Sequence, residues 1–333
     1  MATLAATNPT LMDVAKLKEP DGGMVTDVVD MLSQDNEIFM DSTWIEANGG
    51  TFHRTAMRIG LPEPTWRAYY QGVQPTKGTY ATVDEPLGMM EARSVIDKDL
   101  ADMETDIQQF RLLEAGGFLE GMNQSLVGTA LYGSVTTSPA KFNGFAGRFN
   151  SINGAASGEN IVDAGGTGSD NTSMYIVQWS PRTVFFAYPK GSAAGITRED
   201  LGVNNNAIPP DGSAGVFSAY EEKFTQKAGL VVRDWRSVVR IANIDKSNLV
   251  DEASAADILK LLAIGIDKIK KVAGGRIAIY GNRTVKTMLR IQAMSKNNVY
   301  LTVGKEEGQP KLDFDGHPIR LLDQLLNTET RVT

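Results

Sequence analysis

Histidine is the side chain best suited to moving protons or holding a metal at neutral pH, and this chain has 2 of them, His53 and His317. They stand near opposite ends of the sequence, His53 in an extended run and His317 beside a turn glycine. A Ser–His–Asp triad or a histidine metal site needs one of them inside a supporting cluster, and neither lies in such a motif. Both read as structural or solvated. Gly165-Gly-Thr-Gly168-Ser-Asp-Asn171 has the outline of a phosphate loop, but no lysine follows it and the next element reads as a strand, not a helix. It reads as a linker. Asp313-Phe-Asp315-Gly316 begins like a calcium-binding loop. Its glycine comes too early, and Gln324 stands where a bidentate glutamate is needed, so a β-turn is expected. Asp35, Glu37 and Asp41 read as a solvated face. With 0 cysteines, disulfides, zinc–thiolate sites and cysteine nucleophiles are excluded. The expectation is therefore no enzyme, no cofactor and no metal.

A chain of 333 residues is long enough for one large or two ordinary domains with a real core. Hydrophobic residues make up 42% and charged ones 22%, the balance of a folded protein that is neither disordered nor membrane-embedded. The 33 glycines exceed the usual share and fall between apolar runs, as tight turns and long excursions require. A net charge of −7 argues against gripping nucleic acid through its phosphates, which takes a basic surface. It is compatible with enclosing nucleic acid, because a mildly acidic wall repels phosphate only over about 8 Å at physiological salt. The first residues lack the basic and apolar regions of a secretory signal, and no stretch approaches the ~20 apolar residues of a membrane span. Synthesis and assembly in a cytoplasm are expected.

Along the chain, Leu11 to Leu17 and Val25 to Phe39 carry helical apolar spacing, separated by Gly22-Gly23. Two outcomes fit this strip: packing on the chain's own body, or an arm reaching a neighbouring subunit. Phe52 to Leu61 suits a strand ended by Pro62-Glu63-Pro64. Trp66 to Tyr70 and Thr79 to Val83 then flank the polar tip Gly72 to Gly78, which reads as a hairpin. A lone hairpin is marginal in water, and one carrying Trp66, Tyr69, Tyr70, Tyr80 and Val83 is expected to lie on a partner surface.

Met89 to Ile96 reads as a returning strand and Asp102 to Tyr132 as a long helix with the stripe Leu112, Ala115, Leu119, Met122, Leu126 and Ala130. A bend is expected at Gly116-Gly117, and Gly133 takes the stop position. Strands follow at Met174 to Trp179 and Thr183 to Tyr188, then a polar loop through Asn204 to Gly212, then strands at Phe217 to Phe224 and Gly229 to Ile244. Ser254-Ala-Ala-Asp257 reads as a capping box for a helix with the stripe Ile258, Leu262, Ile266 and Ile269. Gly274-Gly275 ends it. Arg276 to Tyr280 is a buried-type strand, Asn282 can cap a second helix with Val285, Met288 and Leu289, and a hairpin through Phe314 to Gly316 closes the chain.

An arm, a long hairpin, a long helix and then an α/β body resembles the tailed-phage major capsid protein of the Hong Kong 97-type fold, nearest to a group known from short-tailed, Bordetella-type phages. The residues that carry the resemblance begin with Arg58 to Pro62 and Trp66-Arg67. Val95 to Asp102, Phe118 to Asn123, Leu131 to Gly133, Pro139 and Phe142 to Gly144 follow. Gly229 to Arg236 and Arg240 to Asp245 complete the series. It spans nearly the whole chain.

The resemblance implies an α+β fold with N-terminal arm, extended β-hairpin loop, long spine helix, and peripheral and axial domains. Residues 1–45 would be the arm and 46–101 the extended loop with its flanking strands. Residues 102–253 would hold the spine helix and the peripheral-domain strands with loop insertions, and 254–333 the axial α/β region and closing strands. It also implies self-assembly into pentamers and hexamers, and an icosahedral virion shell around double-stranded DNA held without sequence-specific binding. Assembly would take place in the cytoplasm of a bacterial host and involve no membrane. A separate scaffolding protein, or a processed mature chain, is implied, because the long charged segment that some relatives carry ahead of the arm is not seen here. A portal and a decoration protein are further partners.

Intersubunit contacts are expected from Trp66, Tyr69, Tyr70, Lys77, Tyr80 and Val83 of the loop and from Val25, Val28, Val29 and Leu32 of the arm. Lys77 is not expected to form the covalent crosslink of the family's namesake. An encapsulin-like nanocompartment shell, which shares the fold but encloses an enzyme, is the alternative function. A glycine-rich α/β enzyme using nucleotide at Gly165 to Asn171 is the remote one.

Overall fold

The computed structural model describes residues 9, 34, 36–103, 106–209, 215–250, 256–295, 301–306 and 309–333. The two leading helices lie almost wholly outside this set; what is described begins with the short α1 (Ile38–Asp41). In chain order there follow β1 (Trp44–Glu46), β2 (Phe52–Gly60), β3 (Thr79–Pro86), β4 (Gly88–Asp97), α2 (Lys98–Asp102) and α3 (Ile107–Tyr132). Then come β5 (Ile161–Asp163), β6 (Asn171–Trp179), β7 (Val184–Tyr188), β8 (Ile196–Ala207), β9 (Phe217–Val232) and β10 (Val238–Asp245). The last part holds α4 (Ile258–Lys268), β11 (Arg276–Gly281), α5 (Arg283–Ser295), β12 (Leu301–Glu306), β13 (Gln309–Phe314) and β14 (His317–Leu321). Among the described residues no helix is long and apolar enough to cross a membrane.

Two compact units share these elements. The larger is built around β6, whose 9 residues are all buried. Strand β6 is flanked by β10 and β11, both antiparallel to it. The sheet continues from β11 through β14 and β13 to β12. On the opposite side it passes to β7, which pairs in parallel with β1 and antiparallel with residues 229–232. The apolar side chains of this sheet meet α4 and α5. Ile258, Leu262, Ile266 and Ile269 of the first, and Val285, Met288 and Leu289 of the second, are buried against Ile176, Ile241 and Ile279. The stripes read from the sequence are therefore the packed faces. The cap of α4 is Asp257, whose carboxylate accepts from Lys260 N at 3.3 Å; Ser254, expected to start the box, lies outside the described residues. Asn282 caps α5 as expected, accepting from Val285 N at 2.9 Å. At the end of β13, Asp315 (φ 50°) and Gly316 (φ 74°) make the two-residue left-handed turn that a tight hairpin requires.

The smaller described core joins residues 89–126 to 195–227. Phe118 stacks on Phe224 at 5.7 Å, with Ala115 and Met122 buried beside them. Helix α3 starts later than expected: Asp102 ends α2, and Asp106 caps α3 by accepting from Gln108 N and Gln109 N at 3.0 and 3.1 Å. It is helical without a break for 26 residues, through Gly116 and Gly117. At 1.5 Å per residue that is about 39 Å.

Its buried face also departs from the expected stripe. Leu112 and Leu119 are exposed, whereas Phe110 and even Arg111 are buried. Arg111 is tolerated there because Glu222 (2.6 Å) and Asp200 (2.8 Å) neutralise it. A second correction concerns Asn204 to Asn206, expected in a loop: they belong to β8, which pairs along β9 from Ile196 to Ala207. Nearly every residue of β8 is solvent-facing on at least one side, so it lacks the apolar alternation that would mark a strand.

Candidate assembly surface

A two-stranded antiparallel ribbon, β2 with β3, leaves the body of the larger unit, in register from Phe52 opposite Pro86 to Arg58 opposite Tyr80. Its base is fastened by charge. Glu85, 3% exposed, takes a two-pronged hydrogen bond from Arg148 at 2.7 and 2.6 Å. Fork-to-fork pairs of this kind fix orientation as well as position. Further out Arg54 grips Asp84 across the ribbon at 2.7 and 2.6 Å, holding the Asp84 carboxyl below its usual range. Arg58 lies over the Tyr80 ring at 5.2 Å and donates to its hydroxyl at 3.0 Å.

Beyond Gly60 the ladder stops. Pro62, Pro64 and Pro75 cannot donate to it, and residues 61–77 are all exposed. Trp66 to Tyr70, expected as the first leg of the hairpin, is thus not a strand; the leg that pairs with β3 is Phe52–Gly60. The segment is braced by its own polar groups instead. Gln71 N donates to Ala68 O at 3.2 Å, Ala68 N to Gln71 Oε1 at 3.2 Å, and Thr76 Oγ1 to Glu63 O at 3.3 Å. At the turn Tyr70 holds φ at 65°, a left-handed conformation rare for a bulky residue and characteristic of strained functional positions.

The brace turns the aromatic side chains outward. Trp66 is 100% exposed, Tyr69 93% and Tyr70 106%. Leu61 and Ile59, which the sequence did not single out, are also exposed. Lys77 is exposed too, Tyr80 keeps its upper face open, and Val83, opposite Thr55, is half-buried against its own ribbon. Val25, Val28, Val29 and Leu32 lie outside the described residues.

The root of the arm is described, and it is pinned hard. Glu37 N donates to Leu321 O at 3.2 Å and Leu321 N returns a bond to the Glu37 carboxylate at 2.8 Å. Asp41, expected on a solvated face, is instead 4% exposed and pairs with Arg320 and Arg276, both at 2.9 Å. Two guanidinium groups offset the desolvation of one carboxylate, which is why an acid can sit there. Trp44 stacks on Phe186 at 4.9 Å to complete the anchor.

The side chains read first for chemistry are scattered. His53 packs its ring edge against Phe185 at 5.3 Å, and burial, reinforced by Arg233, lowers its pKa against the opposing pull of Glu85. His317 sits in β14 beside the turn, its pKa lowered by burial and by Lys271. Among the described residues no three His, Asp or Glu side chains are grouped to hold a metal. Gly165 to Asn171 runs from β5 directly into β6 as a connection, with Gly165 N bonded to the Asp163 carboxylate at 2.9 Å.

The two lowered histidines give a signed prediction. Below about pH 6.5 the unfolded chain binds protons at His53 and His317 that the folded chain resists, so stability falls as pH drops through that range. Denaturation midpoints measured from pH 7.5 to 5.5 are expected to decline, and the His53→Gln/His317→Gln variant to decline less. An unchanged slope would remove the histidines as its cause.

The sequence matches the family described as major capsid protein GP7 over residues 19–333. No curated protein matches it. Among solved structures, a chain from the near-atomic structure of bacteriophage epsilon15 is 34% identical, with a TM-score of 0.79 and 100% of both chains covered. The capsid of bacteriophage JBD30 is 10% identical at a TM-score of 0.48, covering 89% of this chain and 93% of that one. The SrpI encapsulin of Synechococcus elongatus is 10% identical at 0.43, covering 66% and 91%. Likenesses at these last two levels do not bear on function. The mixed helix and sheet fold is of the Hong Kong 97 type, and a body tightly pinned at its roots with an aromatic loop held clear of it is what a shell subunit needs. The chain belongs to the major capsid protein GP7 family, the structural proteins that form the virion capsids of tailed phages.

Proposed function

We propose that copies of this chain join as pentamers and hexamers and close an icosahedral shell without performing any catalytic step. In this reading residues 61–78 are laid on an adjacent copy, with Trp66, Tyr69, Tyr70 and Tyr80 as anchors and Lys77 and Val83 at the margin. Val25, Val28, Val29 and Leu32 make a second contact from the arm. The carrying observation is the full exposure of Trp66, Tyr69 and Tyr70 on a turn braced by hydrogen bonds of its own. Large rings left in water on an ordered segment indicate a partner surface, since Trp and Tyr lead the residues that dominate interfaces.

The division into an arm (1–45), an extended loop with flanking strands (46–101), a spine and peripheral region (102–253) and an axial region (254–333) belongs to the same proposal. So do a separate scaffolding protein, a portal and a decoration protein as partners. The enclosed double-stranded DNA would be held without sequence-specific contacts, in keeping with the net charge of −7.

Electron microscopy of the purified chain, expressed alone and with a scaffolding protein, tests the reading. Closed shells of uniform size are expected in at least one of the two. Folded protein that gives no particles in either would overturn it.

A further inference from the structure

A cleft opens at the foot of the ribbon, lined by Thr55 to Ile59 of β2, by Arg182, and by Arg233 to Arg236. Four guanidinium groups face it. Arg236 is neutralised by Asp234, with two hydrogen bonds of 2.8 Å. Arg233 donates only to a carbonyl, Pro181 O at 3.1 Å, and Arg58 only to the Tyr80 hydroxyl. Among the described residues neither of these, nor Arg182, has a carboxylate partner. The cleft thus holds three uncompensated positive charges on a chain whose net charge is −7.

Its wall is also an unfinished sheet. Strand β2 pairs with β3 alone. On the other edge the Asn48 side chain stands in for a neighbouring strand, bonding Arg54 N at 2.8 Å and Arg54 O at 2.7 Å. In an antiparallel ribbon the outward-facing groups recur every second residue, so the next ones belong to Ala56 and Arg58. These have no strand beside them. Between them and the body the Thr55 hydroxyl is buried without a hydrogen-bond partner. An open strand edge calls for a peptide, and arginines without carboxylates call for an acidic one. A phosphodiester backbone would satisfy the charge but neither the strand edge nor the apolar Met57 and Trp235 that line the same cleft.

We infer that the cleft is the receptor for the acidic leading segment, residues 19–30, of a neighbouring copy of this chain. That segment reads Glu-Pro-Asp-Gly-Gly-Met-Val-Thr-Asp-Val-Val-Asp, with four carboxylates, no cation, and apolar Met24, Val25, Val28 and Val29 between them. Pro20, Gly22 and Gly23 oppose a helix at its start, leaving main chain free to add along β2. The other acidic stretch, Asp97 to Asp102, has its carboxylates already engaged: Asp97 caps Asp99 N at 2.9 Å and Asp102 accepts from Tyr220 at 3.3 Å. The inference rests on the shell reading and names the partner of one of its surfaces.

Because the chain has 0 cysteines, thiol trapping is clean. Gly22→Cys with Ala56→Cys in one chain, oxidised in assembled particles, is expected to give a ladder of covalent dimers and higher multimers. Adding Arg182→Glu/Arg233→Glu should weaken the ladder at least tenfold, and Asp27→Lys/Asp30→Lys on top of that should restore it. A crosslink that stays within one chain, a ladder indifferent to the charge reversal, or well-formed particles with no ladder would each overturn the inference. So would arginines protected from chemical modification only in DNA-filled particles, which would assign the cleft to packaged DNA. If the cysteines block assembly, the charge swap decides alone: reversal of the cleft abolishes shells, and reversal of both sides recovers them, or the inference fails. Particles without a ladder leave the shell reading standing, whereas an unaltered chain that forms no particles removes that reading first.

Discussion

Replacing Trp66, Tyr69 and Tyr70 together by serine is expected to abolish shell formation while leaving the subunit as stable as before. The second half of that statement follows from geometry. Side chains at 100%, 93% and 106% exposure make almost no contact with their own chain, and surface changes of this kind usually move stability by no more than about 0.5 kcal/mol. The first half follows from what such rings do when covered. Anchor aromatics at an interface commonly cost 2 kcal/mol or more on truncation, so three of them represent about 6 kcal/mol per contact. At 1.4 kcal/mol per decade that is roughly four orders of magnitude in pairwise association. A shell multiplies the effect, because each subunit both gives a loop and receives one. Sedimentation of the variant at concentrations where the unaltered chain forms particles should show only slow species, with an unchanged melting temperature. Normal particles would remove the loop from the interface. A lowered melting temperature would mean that the rings pack against their own chain after all.

How far these features could be read from sequence depended on whether an element's partner is local. Helices α4 and α5 announced themselves through caps at Asp257 and Asn282 and apolar residues on one face, all set by neighbours a few positions away. The turn at Asp315-Gly316 did so through its two left-handed residues. The ribbon was recognised as a hairpin but with the wrong first leg. Trp66 to Tyr70 has strand-like composition, and only the prolines around it, together with the better register of Phe52–Gly60, decide the pairing. Helix α3 carries apolar residues on more than one side, so periodicity could not say that Leu112 and Leu119 would face solvent while Arg111 went inside. Strand β8 has no alternation to read, because its polar residues are accepted on an exposed strand.

The buried ion pairs were beyond reach for a different reason. Asp41 meets Arg320, and Glu85 meets Arg148, only once the chain has folded over long separations. An acid in a short helix or a strand looks solvated until its arginine is known. The same holds for the cleft at the foot of the ribbon. Arg58, Arg182 and Arg233 come from three separate stretches, and no local pattern marks them as neighbours. The exposed rings, by contrast, could be singled out early, since their significance lies in having no partner within the chain.

One further long-range pair carries the largest stability effect. Glu329, near the end of the chain, is 7% exposed and receives Arg240 Nη2 at 2.8 Å, the Ser173 hydroxyl, and the Tyr132 hydroxyl at 2.5 Å. Burial, with the Glu329 charge beside it, pushes the Tyr132 hydroxyl far above its ordinary pKa, so it stays a donor. Arg240, 4% exposed, also donates to Ser173 Oγ and to Phe149 O at 2.7 Å, and its guanidinium lies over the Tyr175 ring at 5.7 Å. This cluster ties the last strand of the chain to the final turn of α3 and to β6 and β10.

Glu329→Ala leaves a buried guanidinium with no counter-charge, a change that costs about 3–5 kcal/mol in comparable sites. The C-terminal residues have two other ties, Asn243 to Val332 at 2.9 and 2.8 Å and Ile152 N to Thr333 O at 3.0 Å. The loss is therefore expected as a lowered denaturation midpoint of an otherwise folded subunit. Replacing both partners, as Arg240→Met/Glu329→Leu, removes the uncompensated charge and should recover most of the loss, because the desolvation of two charges no longer has to be offset. A cycle of the two single variants and the double variant measures this directly. Single variants that each cost less than about 1 kcal/mol, or a double variant as unstable as the sum of the singles, would show that the pair is not what holds this strand.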